Sequence, residues 1–389
     1  MTITLRRATM HDRSLLGPAD VSDAQLTAMV ADLLGHPTAD VCLTSSTAEP
    51  VDYDLPAITT ASRHWVSGTA RTPTGESHFR IFVKHVQSWE RHPFFAEVHP
   101  EIAELAAAGV PWRTEPLAYR SDLGDRLPDG LTMPRALGVF DLDELSAAIW
   151  LEEVRAGHPT WDLDRYRRAA YLLGQLAASP RVAERRNVGD VAWTVQTYVS
   201  GRLQHQVLPM LAADELWQHP LVAGAFEPAL RGRLRTEAEL VQGYADELMA
   251  LPQLAAHGDA SPNNLLAGPT PGSFVLIDYG FWLPNVVGFD LGQLLVGDVQ
   301  IGKRSPDLLV ETDEAIVPAY VDGLRAEGLD VEESTVRRAH ALHLLLFTGL
   351  STLPFELLDQ PPTPEAHAAA AARASIARFS LDLLDAAVG

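Results

Sequence analysis

Residues 254–280, LAAHGDASPNNLLAGPTPGSFVLIDYG, bring four chemically capable side chains close together in the chain: His257, Asp259, Asn264 and Asp278. A carboxylate held in a loop can orient a hydroxyl and take its proton. A carboxamide and a second carboxylate are hard oxygen donors of the kind magnesium shares with phosphates and water. Together they make up the inventory of phosphoryl transfer, where positioning and charge stabilisation do most of what a protein must do.

Two short elements must position these groups. Gly, Ser and Pro punctuate the HGDASPNN stretch, so His257, Asp259 and Asn264 belong to a loop rather than a helix interior. Phe274 to Ile277 form an apolar, partly β-branched run that ends in Asp278, which places that carboxylate at the end of a buried strand. Gly268 to Gly272, GPTPG, are the turn between them. HGDxxxxN followed by IDYG resembles the catalytic loop and metal-binding strand end of the aminoglycoside phosphotransferase family, small-molecule kinases with a protein-kinase-like fold.

The resemblance implies an α+β bilobal fold with an antiparallel-sheet N-lobe and a mainly helical C-lobe. It implies ATP-dependent transfer of the γ-phosphate to a hydroxyl of a small molecule: an aminoglycoside or other antibiotic, an aminosugar or a sugar. Asp259 is then the catalytic base, Asn264 and Asp278 hold magnesium, and His257 orients the loop. Residues 1–39 form an N-terminal helical segment, 40–154 the N-lobe with a hinge at 151–154, 155–358 the C-lobe, and 365–389 a last helix. Gly258, and the short run of chain between Asp278 and Asp290, favour a small-molecule kinase over a protein kinase. A pseudokinase or regulatory scaffold would be expected to lack the base or a metal ligand, and none is missing.

The remaining elements come in the order that this family requires. Ser22 to Gly35 read as a capped helix, and three strand-like runs follow over residues 40–86, the last two joined at Thr72 to Gly75. Lys84, near the end of SHFRIFVKHV, is the candidate for contacting phosphate. No GxGxxG lies between the first two strands; backbone N–H groups of Ser45 to Ala48 are candidate phosphate donors. A carboxylate must hold the lysine, and Glu97, Glu101, Glu104 and Glu115 compete for that role. The family pattern favours Glu115, with residues 88–110 as an inserted helical segment. AIWLEEV at 148–154 resembles the interlobe linker, with backbone groups of Glu152, Glu153 and Val154 pairing with adenine. Asp290 resembles the family aspartate that braces the catalytic loop; a helix N-cap is its plainer reading.

Formal charge of −21 and a sequence pI near 5.0 argue against nucleic acid or an anionic membrane as a partner. No segment has the apolar length of a membrane span, and the first residues carry no apolar run behind their arginines, so a cytoplasmic protein is expected. The expected partner is a small-molecule hydroxyl acceptor; the oligomeric state is left open. Cys42 is the single cysteine and reads as a small buried hydrophobe. His340 and His343 read as core or boundary histidines, residues 193–201 as a β-rich patch, and Trp282 equally as a sugar-stacking ring or as core.

Overall fold

The computed structural model describes residues 10–53, 57–95, 107, 109–189, 191, 193–359 and 362–387. Glu97, Glu101, Glu104 and most of the expected inserted segment lie outside them. The chain is a mixed α+β protein that divides into two compact units: residues 1–124 with 133–155, and residues 125–132 with 156–389. No helix among the described residues is long and apolar enough to cross a membrane.

The first unit is built on a sheet of β1 (Met10–Asp12), β2 (Cys42–Pro50), β3 (Thr60–Thr72) and β4 (Gly75–Gln87), continued after β5 (Leu131–Thr132) of the other unit by β6 (Ala136–Asp143) and β7 (Ser146–Glu152). The order is β1-β2-β3-β4-β7-β6, antiparallel except for the β1/β2 pair. Strand alternation places Phe79, Ile81 and Val83 in the core. They pack there with Leu26, Met29 and Val30 of the Asp23–Leu34 helix. That helix starts where the sequence indicates: Ser22 and Gln25 cap each other reciprocally, and Gly35 closes it in the left-handed region. Lys84, of opposite parity, leaves this core for the other face of β4.

Two expectations change here. Ser45 to Ala48 are not a loop. They run mid-strand in β2, where Ser45, Ser46 and Thr47 are flanked by β1 and β3, so their backbone belongs to sheet ladders. Cys42 is exposed, at the outer start of β2 beside the buried Val41.

The second unit is mainly helical. Leu163–Ala178, capped by Asp162, crosses Leu309–Ala326 through paired glycines. A Cβ on Gly174 would stand 2.2 Å from Tyr320 O, and one on Gly323 2.0 Å from Tyr171 O, so the two backbones touch directly. This contact fixes Tyr320, whose hydroxyl accepts from Gly288 N at 3.1 Å. Gly288 in turn starts the Phe289–Gln300 helix.

The 193–201 patch is helical rather than β-rich: Thr194 caps Val195–Tyr198, and a π-helical run follows over Val199–Val207. Val195, Tyr198, Val199, Leu203 and Val207 are buried at helical spacing, and Tyr198 stacks on Phe347 with ring centroids 4.1 Å apart. That burial outweighs the local β propensity.

Gly323→Ala is expected to lower stability by about 1–3 kcal/mol through overpacking, read as a lower urea midpoint. Gly232→Ala, in a helix where a Cβ meets nothing within 4 Å, should hold or raise the midpoint.

Candidate active site

β8 (Gln253–Ala256) runs into the HGD loop, followed by a tight turn at Pro262–Asn264, then β9 (Leu265–Ala267), β10 (Phe274–Leu276) and β11 (Leu283–Val286). β8 pairs with β11, while β9, β10 and β5 form a small sheet. The hairpin lies where Gly268 to Gly272 predict it, closed by Gly268 N to Ser273 O at 2.9 Å.

Asp290, buried in the first turn of the Phe289–Gln300 helix, holds the loop from below. Its Oδ2 accepts from His257 N at 2.9 Å and its Oδ1 from Gly258 N at 2.8 Å. Gly288 rather than Asp290 occupies the N-cap position, so the bracing reading holds and the cap reading does not. Gly258 has φ +83, and a Cβ there would lie 2.0 Å from Phe281 O; no side chain fits.

The loop then turns so that Asn264 Nδ2 donates to both Asp259 O (2.8 Å) and Asp259 Oδ2 (2.9 Å). Only an amide nitrogen can donate to both, which fixes the carboxamide and leaves Oδ1 as the atom it could offer a cation. Asn264 O accepts from Ile277 N at 3.1 Å, tying the loop to the residue before Asp278. Asp278 has φ 64, the single positive φ outside glycine among the described residues. A non-glycine residue held in this region is strained, and such strain concentrates at functional sites. Asn264 and Asp278 are hard oxygen donors suited to magnesium, which takes one or two protein ligands and completes its shell with phosphate and water. No group of three or more His, Cys, Asp or Glu residues placed to hold a metal occurs among the described residues.

His257 is fully buried, and burial pushes its imidazole down to about 4 against the pull of Asp278. It is therefore neutral at pH 7. Its Nε2 lies 3.0 Å from Ile277 O, a carbonyl that can only accept, so the proton is on Nε2. A neutral imidazole used in this way is a brace between loop and strand. Burial pushes Asp290 up to about 6, although its two N–H partners pull the other way.

His343 is buried against Phe289 and held down to about 3 by burial and by His340. A carboxylate partner for His340 comes from another helix, with Asp313 Oδ1 3.0 Å from His340 Nε2. Trp282 is core: it is fully buried and donates to Arg185 O at 2.9 Å, which removes the sugar-stacking reading.

These shifts give a pH prediction. His257 and His343 have depressed folded pKa values, so their contribution to stability is full above the ordinary 6.5 and is lost as pH falls toward 4 and 3. For His257 alone this is roughly 3 kcal/mol. Asp290 acts oppositely, contributing below its ordinary 3.8 and losing that contribution as pH rises through about 6. The histidines dominate, so the urea midpoint should fall between pH 6.5 and 4, and His343→Leu should flatten the slope. A midpoint flat over that range in the unsubstituted chain would contradict the assignment.

In the first unit, Lys84 Nζ and Glu115 Oε2 are 2.6 Å apart, with both side chains about 5% exposed or less. Glu115 lies in the first turn of Thr114–Arg120, a helix that packs on β6 and β7. The structure thus brings together the lysine and the glutamate that the sequence pairs. Glu152 ends β7, which lies between β4 and β6 and so is no edge strand; its N–H donates to Arg135 O at 3.0 Å. Glu153 lines an open groove of about 660 Å³ with Ser45, Thr47, Ser67, Thr69 and Arg80. Burial pushes the Glu153 carboxyl up, but Arg155 at 2.9 Å and Arg80 at 3.1 Å outweigh it and hold it below the usual range. Val154 follows the strand, partly buried.

Removing one partner of a buried ion pair leaves the other uncompensated. Lys84→Met should therefore cost about 3–5 kcal/mol, and the double variant Lys84→Met/Glu115→Leu should recover much of it in urea unfolding.

Sequence reasoning missed Tyr320 and Phe281, which act through a hydroxyl and a backbone carbonyl distant in the chain. No motif carries such contacts.

No family model matches the chain, and no curated protein does. Solved structures similar to it include small-molecule kinases. An aminoglycoside phosphotransferase from Alicyclobacillus acidocaldarius shares 15% identity at a TM-score of 0.47, over 82% of this chain and 89% of that one. A choline/ethanolamine kinase family protein from Mesorhizobium loti shares 17% at 0.46, over 80% and 89%. Amicoumacin kinase, in complex with AMP-PNP, Ca2+ and Ami, shares 13% at 0.44, over 92% and 93%.

Proposed function

We propose that the chain is an ATP-dependent small-molecule kinase of the aminoglycoside phosphotransferase type, with a protein-kinase-like bilobal architecture. The observation that carries this is the pair of hydrogen bonds that Asn264 Nδ2 donates to Asp259 O and Oδ2. It ties the base and a metal ligand to one another, so that one loop sets the position of both. Lys84, steadied by Glu115, contacts nucleotide phosphates, and backbone groups of Glu152, Glu153 and Val154, other than the Glu152 N–H that Arg135 O takes, pair with adenine. Asn264 and Asp278 bind magnesium, which when present neutralises charge on the phosphates.

In this reading Asp259 accepts a hydrogen bond from the acceptor hydroxyl, fixes its lone pair toward the terminal phosphorus and takes its proton as the new oxygen–phosphorus bond forms. The bond from that phosphorus to ADP breaks, and ADP leaves. Asp290 and His257 touch no reactant; they are positioning residues. The acceptor is a small molecule bearing a hydroxyl, of the antibiotic, aminosugar or sugar class. The proposed location is the cytoplasm, where ATP and magnesium are supplied.

ATP consumption should be magnesium-dependent and stimulated by at least one member of a panel of hydroxylated acceptors, with a phosphorylated product seen by mass spectrometry. Asp259→Asn should lower turnover by about 10²- to 10⁴-fold while leaving nucleotide affinity near the parent value. ATP consumption indifferent to magnesium, to every acceptor and to Asp259→Asn would leave a nucleotide-binding scaffold without transfer activity as the better account.

A further inference from the structure

Of the 30 lysine and arginine residues, two are lysine: Lys84 and Lys303. Arginine serves at every other basic position. The first lysine is the buried partner of Glu115. The second follows the C-terminal end of the Phe289–Gln300 helix, the helix whose first turn carries Asp290.

Lys303 Nζ donates to Asn263 Oδ1 at 2.8 Å, the residue next to Asn264 in the Pro262–Asn264 turn. The backbone aims it there: Lys303 N donates to Asp298 O at 2.8 Å, and Gly302 N to Val299 O at 3.1 Å. The helix also runs flush against the loop, since a Cβ on Gly297 would stand 2.8 Å from Ser261 Cβ. One helix therefore grips the loop at both ends, through Asp290 at His257 and Gly258 and through Lys303 at Asn263.

The neighbouring cation is placed differently. Arg304 is folded into the protein, donating to Trp161 O at 2.9 Å and Thr312 Oγ1 at 2.8 Å and lying over the Tyr166 ring at 4.3 Å. Lys303 is exposed and bonded to a neutral amide oxygen. An ammonium on a flexible four-carbon stem is a compact point charge suited to a phosphate oxygen. Exchanging an amide oxygen for an anionic one gains charge attraction at the site of phosphoryl transfer.

We propose that Lys303 is a phosphate-contacting residue of the second unit: with a nucleotide's phosphates at Asp259 and Asn264, its ammonium leaves Asn263 Oδ1 for a phosphate oxygen and stabilises the transferred group. This rests on the kinase reading of the loop.

The test uses the full chain and an ATP derivative carrying an acyl group on its terminal phosphate. A lysine Nζ within reach attacks the acyl carbon, an amide bond forms, the carbon–oxygen bond to phosphate breaks, ATP leaves and the amine's proton passes to solvent. Mass spectrometry of the digested chain should find the acyl group on both Lys84 and Lys303, and Mg·ATP at ten times its Kd should suppress both about tenfold. Lys303→Met should lower kcat by about 10²-fold with an unchanged urea midpoint, and Lys303→Arg should restore part of it. Acylation of Lys84 without Lys303, acylation of Lys303 that ATP fails to suppress, or an unaltered kcat in Lys303→Met would each overturn the assignment and leave the kinase reading standing. Failure of both lysines to react, together with no nucleotide binding, would overturn the kinase reading and this inference with it.

Discussion

The two hydrogen bonds from His257 N and Gly258 N to the buried Asp290 carboxylate are the constraint on which the candidate site depends. A loop rich in Gly, Ser and Pro has many conformations open to it, and ordering it costs about 1–2 kcal/mol per residue. Charge-assisted bonds to a carboxylate are among the stronger ones, and here both oxygens are used at once. The cost of burying that carboxylate is visible in its raised pKa. The carboxylate can be held there because its helix starts at Gly288, Gly288 is bonded to Tyr320, and Tyr320 is fixed where Gly174 and Gly323 let two helices touch. Asp259 is two residues from His257, so a displacement along this series reaches the proposed base.

A second constraint works from above. His257, made neutral by burial, bridges to Ile277 O, and Asn264 O receives Ile277 N, so the loop is tied at two points to the residue before Asp278. Asp278 then leaves the strand in a left-handed conformation that L-residues rarely adopt. The geometry is over-determined by its neighbours, which is how such strain persists.

Much of this was legible in the sequence where the signal is local. His257, Asp259, Asn264 and Asp278 are near one another in the chain, and Gly, Pro and β-branched residues mark the loop, hairpin and strand around them. Lys84 and Glu115 could be paired because a phosphate-contacting lysine needs a carboxylate to hold it, although four glutamates competed and the family pattern had to choose. The misreadings share one cause. Residues 193–201 look β-rich taken alone, but their burial against Phe347, far along the chain, makes them helical. Ser45 to Ala48 look like a loop until β1 and β3 flank them. Trp282 and the Asp313 partner of His340 were likewise decided by neighbours that no local pattern names.

The central claim is that Asp259, Asn264 and Asp278 form one metal–nucleotide phosphoryl-transfer site. Manganese, a paramagnetic stand-in for magnesium, reports on it directly through electron paramagnetic resonance of the bound ion with and without ADP. The account predicts one manganese-binding event that tightens when ADP is present, and a loss of about tenfold or more in affinity for the Mn·ADP pair in Asp278→Asn and in Asn264→Leu. Mn·ADP binding that is equally tight in the parent chain and in both variants would contradict it.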